Sequence, residues 1–296
     1  MIDIAKASEF MRTHARLLDR RRFELLFGDG SPAAALDALS GYANPDGGFG
    51  YGLEPDLRSV TSQPGGALHA FEVLADIAPE TSPVGARLCD WLDAASFEDG
   101  SLPFAFGMDD GSGSAPFWAN ADPSEPSLFI TSAVSGAAHR VADNDPAVAA
   151  HPWLESVTDS CLGAIAALDE PPFAIAFRFI LQFLDAIHDK RPEAPGELAR
   201  LGAMLPESGS LPVTGGSEGE KLTPLDISPL PGRPLRDLLP ADAVSADLDL
   251  LARGQQPDGG WEVDFASYSP QASLEWRGYR TVWALSVLQA NGRFNA

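Results

Sequence analysis

Residues 44–49, Asn44-Pro45-Asp46-Gly47-Gly48-Phe49, and residues 256–261, Gln256-Pro257-Asp258-Gly259-Gly260-Trp261, are nearly the same six residues placed far apart in one chain. Each follows an amphipathic helical pattern and precedes another. Two weaker copies lie between them: Glu98-Asp99-Gly100-Ser101-Leu102-Pro103 and Glu207-Ser208-Gly209-Ser210-Leu211-Pro212. In such a turn Asp bonds its own backbone, glycine supplies a positive φ, and the aromatic folds back onto a helix layer. Repeats of this kind, each joining two helices, mark a helical array.

Working outward from the turns, helical patterns dominate and strand signals are scarce. Ile4 to Phe27 reads as one amphipathic helix ended by Gly28-Asp29-Gly30, followed by a helix through Leu39 with Ser31 as N-cap and Pro32 at its first position. Further helices are expected over residues 63–78, 84–95, 127–142, 152–168, 172–188, 196–205, 241–255 and 271–290. Residues 173–184 are apolar on nearly every side, which predicts a helix buried all round. Two long loops, residues 103–126 and 206–235, are rich in Gly, Pro and Ser, and each follows a Gly-Ser-Leu-Pro turn. Loops of that length are usually lids or insertions. The repeats run from end to end, so residues 1–296 are read as a single domain.

The chain carries 20 Lys+Arg against 42 Asp+Glu, a formal net charge of −22. That balance argues against nucleic-acid binding, which needs clustered basic side chains, and against docking on an anionic membrane. No apolar run is long enough to span a bilayer, and residues 1–6 do not resemble a signal peptide. A soluble, cytoplasmic protein is the expectation. Cys89 and Cys161 each sit inside an apolar helical pattern and read as small buried residues.

The helix pairs joined by Asp-Gly-Gly-aromatic turns resemble the α/α-toroid superfamily, whose members include terpenoid cyclases and protein prenyltransferase β-subunits. More closely, residues 44–50, 52–58 (Gly-Leu-Glu-Pro-Asp-Leu-Arg), 62–64 (Ser-Gln-Pro) and 275–278 (Glu-Trp-Arg-Gly) are similar to a group of bacterial proteins with prenyltransferase and squalene-oxidase repeats. The resemblance implies an all-α fold, a single (α/α)5-6 toroid or barrel with the two long loops attached. The acidic motifs of the two cyclase classes are missing: Asp247-Leu248-Asp249-Leu250 lacks the adjacent pair, and Asp109-Asp110-Gly111-Ser112-Gly113 offers no magnesium cluster. Neither cysteine has a histidine at zinc-ligand spacing, so no metal and no cofactor is expected.

Within residues 52–58, two carboxylates and a guanidinium stand close together. Pro55 disfavours helical backbone at Glu54, so Glu54, Asp56 and Arg58 belong to a loop. As a site, neighbouring carboxylates drive one pKa up while the arginine drives the other down, separating an acid from a base. The alternative is an Asp–Arg pair that pins the loop. Glu275, Trp276 and Arg277 form the second constellation, and in a closed toroid the first and last repeats are neighbours, which would bring them toward Glu54. Alternatively they close the ring by salt bridges. Asp226, the one carboxylate in the apolar part of the second long loop, either faces a cavity or caps a turn. Phe104, Phe106, Phe117 and Trp118 gather in the first long loop and suggest a lid over an apolar substrate, or else a satellite cluster under the loop. His69, early in the helix after the Glu54 loop, points either into the same cavity or into the core.

Two classes of function are open. The first is an enzyme that cyclises, isomerises or eliminates an apolar, isoprenoid-like small molecule by metal-independent acid/base chemistry. Its catalytic residues are Glu54, Asp56, Glu275 and Asp226, and its substrate-binding residues are Arg58, Arg277, Trp118, Trp276, Phe117 and His69. A carbohydrate-active lyase or hydrolase is a variant of it. The second is a non-catalytic toroid that recruits a basic partner. Sequence leaves the oligomeric state open.

Overall fold

The computed structural model describes residues 2–294. Among them the all-α expectation holds, with one two-stranded ribbon as the only regular sheet. The helices in chain order are α1 (Ile4–His14), α2 (Leu17–Phe27), α3 (Pro32–Ser40), α4 (Pro64–Asp76), α5 (Pro83–Ala95), α6 (Pro116–Ala119), α7 (Leu128–Ala142), α8 (Pro146–Ala149), α9 (Pro152–Ala166), α10 (Ala174–Ala186), α11 (Ala194–Gly202), α12 (Pro224–Ile227), α13 (Ala241–Arg253) and α14 (Pro270–Ala290). A 3-10 turn covers Pro234–Leu238. The chain forms two compact units, one made of residues 39–201 and the other of residues 1–38 with 202–296.

All four repeat copies fold as the same turn. Gly47, Gly100, Gly209 and Gly259 all have positive φ. Asp46 accepts the N–H of Gly48 at 2.9 Å, Asp99 that of Ser101 at 3.0 Å, and Asp258 that of Gly260 at 3.1 Å. Where the fourth copy has Ser208 in place of Asp, its Oγ accepts the N–H of Ser210 at 3.3 Å. Glycine is required at Gly259 for a second reason, since a Cβ there would strike the backbone carbonyl of Lys6. The aromatic that ends each strong copy is buried: Phe49 and Trp261 both lie in the core, and Trp261 donates from its indole N–H to Leu251 at 2.8 Å.

In the 39–201 unit α7 is the central helix, packed against α4, α9 and α10. Small side chains on α7 permit this: Gly136 lies so close to the Phe183 backbone that a Cβ would sit 3.3 Å from its Cα. Cys89 and Cys161 are buried free thiols, as expected. The expectation that residues 173–184 are buried all round is not met. One side of α10 packs inward through Phe177, Ile180, Leu181 and Leu184, whereas Arg178, Phe179 and Gln182 are half-exposed. Ile175 and Phe179 are only partly buried too, so not every apolar residue of the stretch is a core residue.

The other unit corrects a second expectation. Residues 4–27 form two helices, with Ala15 extended between them. The break lets Gly278 of α14 approach Ala15, where a Cβ would meet the alanine methyl at 2.9 Å. It also places the fully buried Asp19 2.8 Å from Arg16 at the start of α2. Both long loops carry structure of their own. Pro103 and Pro126 pair as an isolated bridge that closes the ends of the first, which contains α6. Leu211–Pro212 pairs antiparallel with Lys221–Leu222 in the second, ahead of α12.

Candidate active site

The loop after the first repeat turn is folded back on itself by local geometry. Tyr51 and Gly52 both take positive φ, and Gly52 leaves room for the Arg58 guanidinium, which a Cβ would meet at 2.6 Å. The N–H of Leu57 donates to the Glu54 carbonyl at 3.0 Å. Glu54, Asp56 and their neighbours are thereby buried although they are loop residues.

Glu54 is 7 % exposed and fully engaged. Its Oε1 accepts the Asp56 N–H at 3.0 Å, and its Oε2 lies 2.8 Å from Nε2 of His69. The Nδ1 of His69 lies 2.9 Å from Oε2 of Glu72, one helical turn further along α4. Burial opposes charge on His69 most strongly, but Glu72 and Glu54 outweigh it and raise its pKa to about 9. His69 is thus an imidazolium near neutral pH, donating one proton to each carboxylate. Glu72 was not anticipated; its i, i+3 spacing from His69 was the available signal.

The first long loop is tied to this one. The N–H of Ala115 donates to the Asp56 carbonyl at 2.8 Å, and the N–H of Arg58 donates to Ser114 Oγ at 2.8 Å. These bonds seat α6, whose Trp118 reaches the notch left by Gly65 on α4. A Cβ at position 65 would lie 3.4 Å from the Trp118 ring and 3.5 Å from the Glu54 Cβ. Trp118 stacks on Phe104 at 4.2 Å with planes 6° apart, while Phe117 is 50 % exposed. Glu54, His69 and Trp118 therefore converge, the Asp56 backbone ties the two loops together beside them, and Arg58 and Phe117 belong to the same two loops.

The remaining anticipated residues belong to the other unit. Asp226 is a capping residue: its Oδ2 accepts from Thr223 N–H and hydroxyl at 2.9 Å, completing a reciprocal cap of α12, and its Oδ1 accepts from Arg280 at 3.1 Å. Burial raises the pKa values of nearby Asp247 and Asp264, and Asp226 adds to the effect in both. Glu275 is buried and accepts from Gln271 at 2.9 Å. Arg277 is held by its own repeat turn, 2.9 Å from Asp258 and 3.2 Å from Glu262, with its guanidinium 4.6 Å from the Phe10 ring centre. Trp276 meets Phe265 and Tyr279 edge-on at 5.3 and 5.5 Å.

Among the described residues no group of three or more His, Cys, Asp or Glu side chains is arranged to hold a metal ion. No helix among them is long and apolar enough to cross a membrane. Compared with known protein families and with curated proteins, the chain finds no match.

Proposed function

We propose that the 39–201 unit carries an acid/base site for an apolar small molecule, with Glu54 as the proton-transfer group and His69 as its proton store. One observation carries it: a buried carboxylate sits 2.8 Å from a protonated imidazole, and the edge of the Trp118 ring reaches the notch at Gly65 beside it. In the resting site the ion pair is the stable form. An apolar substrate packed beside it takes away the little water that reaches the pair and favours the neutral form, so the proton passes from Nε2 of His69 to Oε2 of Glu54. Glu54, now a carboxylic acid against an apolar surface, protonates a substrate double bond, and Trp118 offers its ring to the cation that forms. Glu72 keeps Nδ1–H in place; Glu54, again a carboxylate, takes a proton from a carbon next to the cationic centre to leave the product alkene and returns it to Nε2 of His69 as the product departs. Asp56 positions Glu54 through its peptide N–H.

The repeat turns support an α/α toroid of helix pairs as the parent architecture, and isomerisation, cyclisation and elimination all use the same proton transfer. The test is hydrogen exchange into carbon. Incubated in D2O with a panel of branched and cyclic alkenes, the protein is expected to place deuterium in at least one of them, and Glu54→Gln to place none. Exchange that is absent across the panel, or equal in the variant, overturns the proposal.

A second interpretation draws on the same bonds. Both ring nitrogens of His69 are occupied, as they are in a clamp that only holds a fold together, and the acidic surface then serves a basic protein partner. In that case Glu54→Gln lowers the melting temperature and changes no chemistry.

A further inference from the structure

Between the repeat turn at Trp261 and the start of α14, residues 262–269 run without regular structure and border an open cleft of about 420 Å³. Small-molecule sites span about 300–1,000 Å³. The rings of Phe265 and Tyr268, the hydroxyls of Ser267, Ser269 and Ser273, and the Glu262 carboxylate line it. Phe265 is braced edge-on by Trp276 at 5.3 Å, and Tyr268 is 50 % exposed. Ser269 caps α14, accepting the Ala272 N–H at 3.0 Å, and so fixes the helix end of the cleft.

The polar groups here have capacity left. Among the described residues the hydroxyls of Ser267 and Ser273 make no hydrogen bond, and the N–H and C=O groups of Val263 to Ser267 make no backbone hydrogen bond. The Ser269 hydroxyl accepts at the cap and still has a proton to donate. Arg277 holds one oxygen of Glu262 at 3.2 Å, which leaves the second as an acceptor.

Unused donors and acceptors beside partly exposed rings match a molecule that carries hydroxyls around an apolar ring. Each sugar hydroxyl donates and accepts, and the C–H side of a sugar packs on an aromatic ring. A hydrocarbon would bury these hydroxyls unsatisfied. An anion would meet Glu262 and Asp264, and Asp264 already lies in the field of Asp226 and Glu220 against one arginine, Arg280. An added peptide strand needs a straight edge, whereas the chain bends at Asp264–Phe265 and again at Tyr268–Ser269.

We propose that this cleft binds a neutral saccharide, packed on Phe265 and Tyr268 and hydrogen-bonded through Ser267, Ser273 and Glu262. It binds without cleaving, because glycoside hydrolysis takes a pair of carboxyl groups and only Glu262 lines the cleft, already engaged by Arg277. Nothing in this depends on the acid/base role of Glu54, which belongs to the 39–201 unit.

The full-length protein is titrated calorimetrically with cellotriose, chitotriose, maltotriose and xylotriose. At least one is expected to bind with a Kd of about 1 mM or tighter. For that sugar, Tyr268→Ala should weaken binding about tenfold, through loss of an aromatic contact, while Tyr268→Phe keeps most of the affinity. The double variant Ser267→Ala/Ser273→Ala should also weaken it roughly tenfold, the loss of two neutral hydrogen bonds. Melting temperatures of these variants should match the wild type, since none of the changed side chains is in the core. Glu54→Gln, measured where it is folded, should bind the sugar as the wild type does, and trigalacturonate should bind more weakly than the neutral sugar. Binding of none of the four sugars, unchanged affinity in Tyr268→Ala or in the serine double variant, loss of binding in Glu54→Gln, or tighter binding of trigalacturonate overturns the proposal. So does an alternating Lys-Val octapeptide that binds where the sugars do not and is lost in Tyr268→Ala. New reducing ends on incubation with the wild type would overturn the binding-only role.

Discussion

Glu54 and His69 meet at 2.8 Å, the one from a loop that Pro55 keeps out of helix and the other from the first turns of α4. Neither would be buried there alone at low cost. A carboxylate and an imidazole in an apolar setting stay charged only because each answers the other, with Glu72 closing the far side of the ring.

The first prediction concerns that imidazole. Its folded pKa of about 9 lies above the ordinary histidine value of 6.5. Its contribution to stability is therefore fully present below pH 6.5 and is lost as pH rises through 9, with a total of about 3 kcal/mol. Proton NMR of the His69 ring should show titration in that upper range, and Glu72→Gln should move it down. Titration near 6.5 in the intact protein would contradict the ion-pair geometry.

His139 is expected to behave in the opposite way. Burial, with help from Lys190 and Arg191, lowers its pKa to about 3, and its Nε2 lies 2.7 Å from the Thr158 hydroxyl. The unfolded chain takes up a proton below 6.5 while the folded chain refuses it, so stability falls as pH drops from 6.5 toward 3. Denaturant midpoints measured across that interval should slope less in His139→Gln than in the wild type.

Gly65 separates Trp118 from Glu54, and filling its notch should disturb both. Gly65→Leu is expected to cost about 1–3 kcal/mol through overpacking and to shift tryptophan emission as the ring is displaced. Gly65→Ala, whose methyl meets its neighbours at 3.3 Å and beyond, should change stability much less. An unchanged spectrum for Gly65→Leu would mean that Trp118 does not occupy the notch.

Two glycines with positive φ separate backbone strain from steric contact. Gly215 has open space where a Cβ would go, so Gly215→Ala should cost about 1 kcal/mol. Gly259 faces the Lys6 backbone carbonyl, and Gly259→Ala should destabilise the 1–38/202–296 unit by several times as much. Chemical denaturation of the two variants side by side gives the comparison.

Replacing Glu54 with glutamine should cost about 1–3 kcal/mol, because a buried acceptor keeps its shape while losing its charge opposite His69. Thermal melts at pH 6 should show the loss, and the gap to the wild type should narrow toward pH 10, where His69 is neutral in both.

The sequence by itself determined the helices and the turns that join them. Helical periodicity placed α4, α5, α7, α9, α13 and α14 to within about three residues, and the Asp-Gly-Gly-aromatic repeat foretold the shared turn because both its hydrogen bond and its positive φ are local properties. Ser208 in the weakest copy still makes the bond. Local pattern also pointed to Glu54, Asp56 and His69 as neighbours in sequence. It missed the break at Ala15, where the chain turns extended beside Gly278 of a distant helix, a contact that local periodicity does not register. It overestimated the burial of residues 173–184, because periodicity counts a phenylalanine as core whether its ring faces the interior or water. Only the tertiary structure decided which partner each charge takes. Arg277 is held by Asp258, Asp226 caps α12, and His69 carries a proton between two carboxylates, since burial and distance belong to the folded chain and not to residue order.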